Sequence, residues 1–266
     1  MEPKYDGKQL RDLVHKRYDI LECINKSQKD IPTIVTNTKF SRTTVDRSVK
    51  TLIKHDLIQE TEDRKYKLTS KGELIKDETK EFHILTDSIA SATDLISYLN
   101  QPEQIPPYIF RDASINMANP KAPEACLRPI IQLLEEATYF CATSRVAMTY
   151  GLDKLYDIAN KKEMKVEICV GKEVMNFSSK LYKEKMKKLC QANHIEIYST
   201  SNAVPHSLWI VETPSNTKGG FVVHSDGAVK GILSNDSSQA VDWIEMLYNS
   251  IQDESELITE SAIRCI

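Results

Sequence analysis

The segment from Ser41 to Gly72 constrains this chain most, because its apolar period changes from helical to strand within a few turns. Val45, Val49, Leu52 and Ile53 recur at i, i+4, i+7 and i+8, which predicts the buried stripe of a helix. Thr43, Arg47, Lys50 and Lys54 recur at i, i+4, i+7 and i+11 and fall on another side of the same helix. Ser41 is placed to cap it, and the helix is expected to run to about His55. Leu57-Ile58-Gln59-Glu60 then reads as a strand, Thr61-Glu62-Asp63-Arg64 as a turn, and Lys65-Tyr66-Lys67-Leu68 as the returning strand. Ser70-Lys71-Gly72-Glu73 is expected to act as the capping box of a further helix.

Two helices are predicted before this segment. Leu10, Leu13, Val14, Leu21 and Ile24 have helical spacing, and the pattern fades at Asn25-Lys26-Ser27. Asp30-Ile31-Pro32 opens a short helix, since Asp caps well and Pro lacks only an N–H that would be unpaired there anyway. Ile31, Ile34 and Val35 form its inward face, and Asn37-Thr38-Lys39 makes the turn that follows. Three helices followed by a β-hairpin predict a winged helix-turn-helix. Charge points the same way. Residues 1–75 hold 16 Lys and Arg against 12 Asp and Glu, whereas residues 76–266 hold 19 against 26. A net charge of −3 excludes a strongly basic chain, so any anion-binding face has to be local to the N-terminal third.

Three segments carry a resemblance. Phe40-Ser41-Arg42-Thr43-Thr44-Val45-Asp46-Arg47, then Leu52-Ile53-Lys54-His55-Asp56-Leu57-Ile58, then Tyr66-Lys67-Leu68-Thr69-Ser70-Lys71-Gly72 resemble the MarR/ArsR/TrmB-like prokaryotic regulators over residues 8–76. Lys39 and Asp56 depart from that pattern, standing where Gly is common. Asp tolerates a left-handed backbone, so Asp56 is compatible with the turn, while Lys39 implies a turn of different geometry. The resemblance implies a duplex-DNA partner, with α-helical residues in the major groove and the hairpin beside the backbone. The expected contacts are Ser41, Arg42, Thr43, Thr44, Arg47, Lys50, Lys54, Arg64, Lys65 and Lys67. Arg42, Thr43 and Arg47 are placed to reach bases, and Lys50, Lys54, Arg64, Lys65 and Lys67 to hold phosphates. Winged helices also serve as protein-interaction modules, so that reading stands beside DNA binding.

Residues 70–100 contain no Pro and only the early Gly72. Ile75, Phe82, Leu85, Ile89, Ala92, Ile96 and Leu99 recur in a heptad-like seam, which predicts a long connecting helix that either pairs two subunits or packs on its own second domain. From Gln101 to Pro123 the chain holds five of its ten prolines and reads as a linker, or as an irregular segment wrapped on the second domain.

From Glu124 helix and strand alternate. Helices are expected over 125–136, 152–161 and 173–191, and strands over 138–142, 165–170 and 195–198, which predicts parallel strands with covering helices. Strands over 207–211, 220–224 and 228–233 then follow as an antiparallel meander. Asp226-Gly227 is a strong hairpin signal. A helix over about 237–251 closes the pattern. Pro205-His206-Ser207-Leu208-Trp209-Ile210-Val211 and the run Gly231-Ile232-Leu233-Ser234-Asn235-Asp236-Ser237-Ser238-Gln239-Ala240-Val241-Asp242-Trp243 are similar to the C-terminal domain of archaeal regulators of the methanogenesis or filament type, loosely TrmB-like. That resemblance spans most of residues 120–255 and implies a phospholipase-D-like sensing domain.

Phospholipase-D chemistry asks for H-x-K-x4-D. His206 is placed like the first member, but position 208 is Leu and position 213 is Thr, so the cation and the carboxylate are missing and no enzyme activity is expected. Sensing of a small molecule or of a partner is expected instead, with Ser144 and Arg145 after the first strand and His206 and Trp209 near the same edge as candidate ligand contacts. Cys23, Cys126, Cys141, Cys169, Cys190 and Cys265 show no C-x-x-C spacing and the histidines form no metal-ligand pair, so neither metal nor cofactor is expected. Cys23, with Lys26 nearby, leaves a thiol-based redox regulator as a further alternative.

The expected class is α/β, or α+β overall. A winged helix occupies 1–76, a dimerisation helix and Pro-rich linker 77–123, and an α/β sensing domain with a mixed sheet 124–266. The start Met1-Glu2-Pro3-Lys4-Tyr5-Asp6 shows no apolar signal region and no run reaches membrane-spanning length, so a cytoplasmic homodimer is expected.

Overall fold

The structure, a computed structural model, describes residues 7–25, 27–147 and 150–259. Lys26 and Cys265, both named above, lie outside the described residues. The chain divides into two compact units, Met1–Thr86 and Asp87–Ile266.

The first unit is built from α1 (Gly7–Asn25), α2 (Ile31–Asn37), α3 (Arg42–Lys54), β1 (Ile58–Glu60), β2 (Tyr66–Leu68) and the start of α4 (Ser70–Ser91). The two predicted caps form: Asp30 accepts from the Thr33 backbone N–H at 2.9 Å, and Ser41 from that of Thr44 at 3.3 Å. Val14, Ile20, Leu21 and Ile24 of α1 meet Ile34 of α2, Val45, Val49 and Leu52 of α3, and Leu57, Ile58 and Leu68 in one core. Arg17 breaks the regularity of α1 at φ −125° and lies over the Phe40 ring at 5.2 Å. The hairpin pairs antiparallel, Ile58 opposite Leu68 and Glu60 opposite Tyr66.

Two local expectations are corrected here. Ile53 is 37% exposed, and the fourth buried position of α3 is Ser48. The Ser48 hydroxyl donates to the Thr44 carbonyl at 2.6 Å, so a polar residue is buried there with its hydrogen bond satisfied. The cap of α4 is Thr69 rather than Ser70: its Oγ1 accepts from the Gly72 N–H at 3.0 Å and donates to the Asp56 carbonyl at 2.6 Å. That second bond ties the helix start to the bend at Asp56, whose φ of +56° is the left-handed conformation expected of it. In the turn before α3 no described residue is left-handed, so Lys39 occupies a position that needs no glycine.

The connecting helix is shorter than its seam. α4 stops at Ser91, and a separate turn, α5 (Thr93–Ile96), follows. Ile75 packs on the first unit's core, while Ile89, Ala92, Ile96 and Leu99 pack into a core of the second unit. Of the seam residues, Phe82 stays exposed at 53%.

The second unit is one eight-stranded mixed sheet. Its strands are β3 (Ser114–Met117), β4 (Tyr139–Ser144), β5 (Lys165–Gly171), β6 (Ile195–Thr200), β7 (Ser207–Glu212), β8 (Thr217–Ser225), β9 (Ala228–Asn235) and β10 (Glu256–Leu257), in the spatial order β10-β6-β5-β4-β7-β8-β9-β3. β4, β5 and β6 run parallel, and β7, β8, β9 and β3 continue the sheet antiparallel. Residues 105–117, which hold no continuous helical or alternating signal, therefore contribute an edge strand and the buried Ile105, Ile109 and Phe110. The Asp226-Gly227 turn has both residues at positive φ, 53° and 75°, as a two-residue hairpin requires.

Period-two alternation divides the sheet's side chains between two cores. Val166, Ile168, Val170, Ile195, Ile197, Trp209 and Val211 face α6 (Arg128–Leu134), α7 (Tyr150–Lys162), α8 (Lys172–Leu181) and α9 (Lys183–Gln191). Cys141, Cys169, Leu208, Ile210, Phe221 and Val223 face α10 (Ser238–Gln252) and residues 92–110. The helix expected over 173–191 is two helices, broken at Tyr182 with φ −126° and ψ 34°.

Under α10 the buried Glu167 accepts from Tyr139 at 3.0 Å and Tyr248 at 3.1 Å and pairs with Lys165 at 2.5 Å. Burial works against its charge, but these donors outweigh it and hold its carboxyl below the usual range. Cys141 and Cys169 lie beside this network. Burial pushes their thiols up to about 12 and about 11, so both are packing residues rather than nucleophiles.

Candidate nucleic-acid interface and effector cavity

The buried stripe of α3 fixes which side of the helix remains for a partner. With Val45, Ser48, Val49 and Leu52 turned inward, Arg42, Thr43, Arg47, Lys50 and Lys54 are exposed. The hairpin adds Arg64, Lys65 and Lys67, all exposed, with Arg64 in a left-handed conformation at φ +55° in the wing turn. Among the described residues none of these seven cations is held by an ion pair. Lys65 contributes last to depressing the Asp30 carboxyl, behind its hydrogen bonds from Thr33. Ser41 and Thr44 are already occupied with each other: their hydroxyls lie 3.0 Å apart while Ser41 also caps the helix. The pair fixes the start of α3, and its hydroxyls are less free for a ligand than those of an uncapped residue. Cys23 is half-buried and packs against the first unit's core.

The four expected effector residues do not form one site. Trp209 belongs to the core under α6–α9, whereas His206 stacks edge-on against Phe221 of the opposite core at 5.4 Å. The reason is the strand period, which sends residues three apart to opposite faces. Arg145 is exposed, and its backbone N–H donates to Ser207 Oγ at 3.0 Å. Its side chain shares a cleft with His206 and His224. Burial, and then the Arg145 charge, depress the His206 imidazole to about 4, so it is neutral at physiological pH. His224, which carries no signal in the sequence, is likewise depressed by burial, against which a hydrogen bond with the Val222 backbone works. That cleft has a volume of only about 10 Å³, too small for an organic ligand.

Trp209 instead lines a cavity of about 160 Å³ between the sheet and α6, α7, α8 and α9. Phe140, Ile168, Val170, Met175 and Met186 are among its walls. The polar groups at its rim are mostly spent. Thr143 Oγ1 donates to the His206 carbonyl at 2.6 Å and accepts from the Leu208 N–H at 3.2 Å, and Ser144 Oγ donates to the Val146 carbonyl at 2.7 Å. Ser207 Oγ is the acceptor for Arg145. Trp209 is only 2% exposed, and among the described residues its Nε1–H has no acceptor.

Among the described residues no three His, Cys, Asp or Glu side chains are grouped to hold a metal, and no helix is long and apolar enough to cross a membrane.

Comparison with known proteins gives two family matches in the order of the two units. Residues 6–88 match the HVO_A0261 N-terminal domain, and residues 123–254 match the middle domain of the methanogenesis regulatory protein FilR1. No curated protein matches the chain in sequence. Among solved structures, TrmBL2, an archaeal chromatin protein, aligns at a TM-score of 0.42 and 10% identity over 94% of this chain and 99% of its own. Nuc from Salmonella typhimurium, a phospholipase D family member, aligns at 0.43 and 9% identity over 56% of this chain and 99% of its own. NucT from Helicobacter pylori aligns at 0.42 and 11% over 55% and 99%. Structural likeness at this level is slight and carries no argument; the likeness rests on the two family matches, to the HVO_A0261 N-terminal domain over residues 6–88 and to the middle domain of the methanogenesis regulatory protein FilR1 over residues 123–254.

Proposed function

We propose that the chain regulates transcription by reading a specific duplex sequence through α3 and the wing. The observation that carries this reading is the set of seven exposed cations, free of ion pairs among the described residues, on one helix and the adjoining hairpin. Phosphate binding draws on such a set directly, since each cation that meets a phosphate releases condensed counterions. Arg42, Thr43 and Arg47 at the start of α3 read bases, and Lys50, Lys54, Arg64, Lys65 and Lys67 set the register on the backbone. Ser41 and Thr44 support this arrangement from the cap.

The protein works as a homodimer that pairs two reading heads. The exposed Phe82 of α4 supports this, standing in the part of the seam that neither core absorbs. The second unit, residues 87–266, is the sensor, and occupation of a site in it by a small molecule changes how the heads engage DNA. The cavity of about 160 Å³ that Trp209 and Ser144 line supports that role better than the cleft of about 10 Å³ at Arg145 and His206, while Ser144 and Arg145 also line a more open cleft of about 360 Å³.

Selection of bound duplexes from a random pool tests the reading. The expected result is enrichment of an inverted repeat with half-sites about one helical turn apart. Enrichment of nothing beyond the starting pool would refute sequence-specific recognition.

A further inference from the structure

We infer that the cleft beyond the carboxyl ends of β4, β5 and β6 binds a small phosphorylated molecule, with the Arg145 guanidinium and the Lys172 ammonium holding its phosphate at the start of α8. The inference rests on the sensing role proposed above and names the site and the class of ligand.

β4, β5 and β6 run parallel, and Arg145, Lys172 and Ser201 directly follow their last residues. In an open α/β sheet, the crevice outside the carboxyl ends of the strands is where ligands bind. Here these three residues, with Asn202 and Val204, line an open cleft of about 360 Å³, room for a molecule the size of a sugar phosphate.

The charge of this cleft selects an anion. Among the described residues neither Arg145 nor Lys172 is held by an ion pair. Arg145 acts instead on His206 and His224, two largely buried imidazoles that its charge helps to keep neutral. Lys172 occupies the first position of α8, where the helix dipole disfavours a cation. An anion seated between the two cations offsets that cost. Glu173 is the one carboxylate lining the cleft, so the lining keeps a positive excess.

The free donors match a phosphate in particular. Ser144 Oγ is spent on the Val146 carbonyl at 2.7 Å, and the Asn202 side-chain amide donates to Glu254 at 2.6 Å. Gly171, at the cap of α8, has no side chain to accept from the N–H groups that open the helix. A guanidinium fork, an ammonium and those N–H groups together suit an ion with several oxygens. A neutral sugar would leave both cations unmatched.

Ribose 5-phosphate and ribose share a frame and differ in the phosphate, which makes them the probes. They are titrated calorimetrically into the full chain. Saturable heat is expected with ribose 5-phosphate and none with ribose. The double variant Arg145→Gln/Lys172→Gln is expected to weaken ribose 5-phosphate at least about tenfold, because two charge-assisted contacts are lost. Gly171→Asp is the second variant. A Cβ at Gly171 would meet nothing closer than Val204 Cγ2 at 4.0 Å, and its φ of −66° suits Asp. The new carboxylate caps α8 and takes the place of the phosphate. Binding is expected to vanish while the second unit's thermal transition holds or rises, which separates a blocked site from a damaged fold. No saturable heat with ribose 5-phosphate, equal heat with ribose, or binding undiminished in either variant would overturn the inference. Affinity of wild type and Gly171→Asp for the selected duplex is measured without probe. Failure of wild type to bind the duplex tells against the regulator reading alone, whereas a loss confined to Gly171→Asp would assign the cleft to the DNA backbone and overturn the inference.

Discussion

Replacing Arg47 by Ala is expected to weaken binding to the selected duplex by about 1–3 kcal/mol for each reading head, and replacing Arg42 as well to deepen the loss. A dimer carries each change twice, so the double variant is expected to lose at least a hundredfold. The reasoning begins in α3. Its inward stripe of Val45, Ser48, Val49 and Leu52 leaves Arg47 on the exposed side, with no carboxylate held against it. The guanidinium is therefore available as a forked donor, the geometry that matches a guanine edge in the major groove. Since the side chain holds nothing in place within its own unit, the thermal midpoint is expected to move by less than about 0.5 kcal/mol equivalent. Discrimination between the selected duplex and a scrambled one is expected to fall along with affinity. Lys50→Ala and Lys54→Ala provide the contrast, because loss of a phosphate contact weakens all duplexes alike. Equal affinity of wild type and the Arg42/Arg47 double variant would show that α3 is not the reading helix.

Gly72→Ala is expected to cost the first unit about 3–5 kcal/mol, enough to leave it largely unfolded at moderate temperature. A Cβ at this position would stand 1.9 Å from the Leu57 carbonyl oxygen and 2.9 Å from its carbon. Both are backbone atoms, so no side-chain rotation relieves the contact. Moving Leu57 is costly too: its side chain is fully buried, and its carbonyl accepts from the Thr69 N–H at 3.1 Å. Moving α4 instead breaks the Thr69 cap on Gly72 and the Thr69 bond to Asp56. Three elements meet at this point: the end of α3, the first wing strand and the start of α4. The clash therefore disorganises the surface that presents Arg64, Lys65 and Lys67. At about 4–8 °C per kcal/mol for a unit of this size, the first unit's transition is expected to fall by more than about 12 °C. The second unit's transition is expected to stay where it is. Calorimetry resolves the two, and an unchanged first transition would mean that the helix start accommodates a methyl group.

Local chemistry made much of this molecule readable before its fold was known. Asp30 and Ser41 are caps with their hydrogen bonds made, Asp56 takes the left-handed turn, and Asp226-Gly227 closes its hairpin with two positive φ angles. Each depends on a few neighbouring residues. Three of the misreadings involve a distant partner. Ser70 looked like the cap because its spacing to Glu73 suits one, but Thr69 is held by Asp56, thirteen residues away. The seam from Ile75 to Leu99 is periodic throughout, yet its two ends bury themselves in different cores. Residues 114–117 form a strand only because β9 lies beside them: Ile115 pairs with Leu233 and Asn116 with Ile232.

The effector residues show the same limit. His206 and Trp209 are near neighbours in sequence, and only the sheet places them on opposite faces. The cavity beside Trp209 is lined by side chains from α6, α7, α8, α9 and the strands of the sheet, none of which carries a signature of its own. The cationic set was legible for the opposite reason. Helical spacing alone separates it from the apolar stripe, and no fold is needed to see that Arg47, Lys50 and Lys54 share a side that Leu52 does not.

Salt dependence of wild-type affinity for the selected duplex tests the central claim most directly. If the cations of α3 and the wing bind phosphates, the logarithm of the association constant falls linearly with the logarithm of salt concentration. The slope is expected to approach about −9 for a pair of heads with five phosphate contacts each, and to become shallower by about 2 when one phosphate-binding lysine is removed from each head. A slope near zero, or one that Lys50→Ala and Lys67→Ala leave unchanged, would contradict the account.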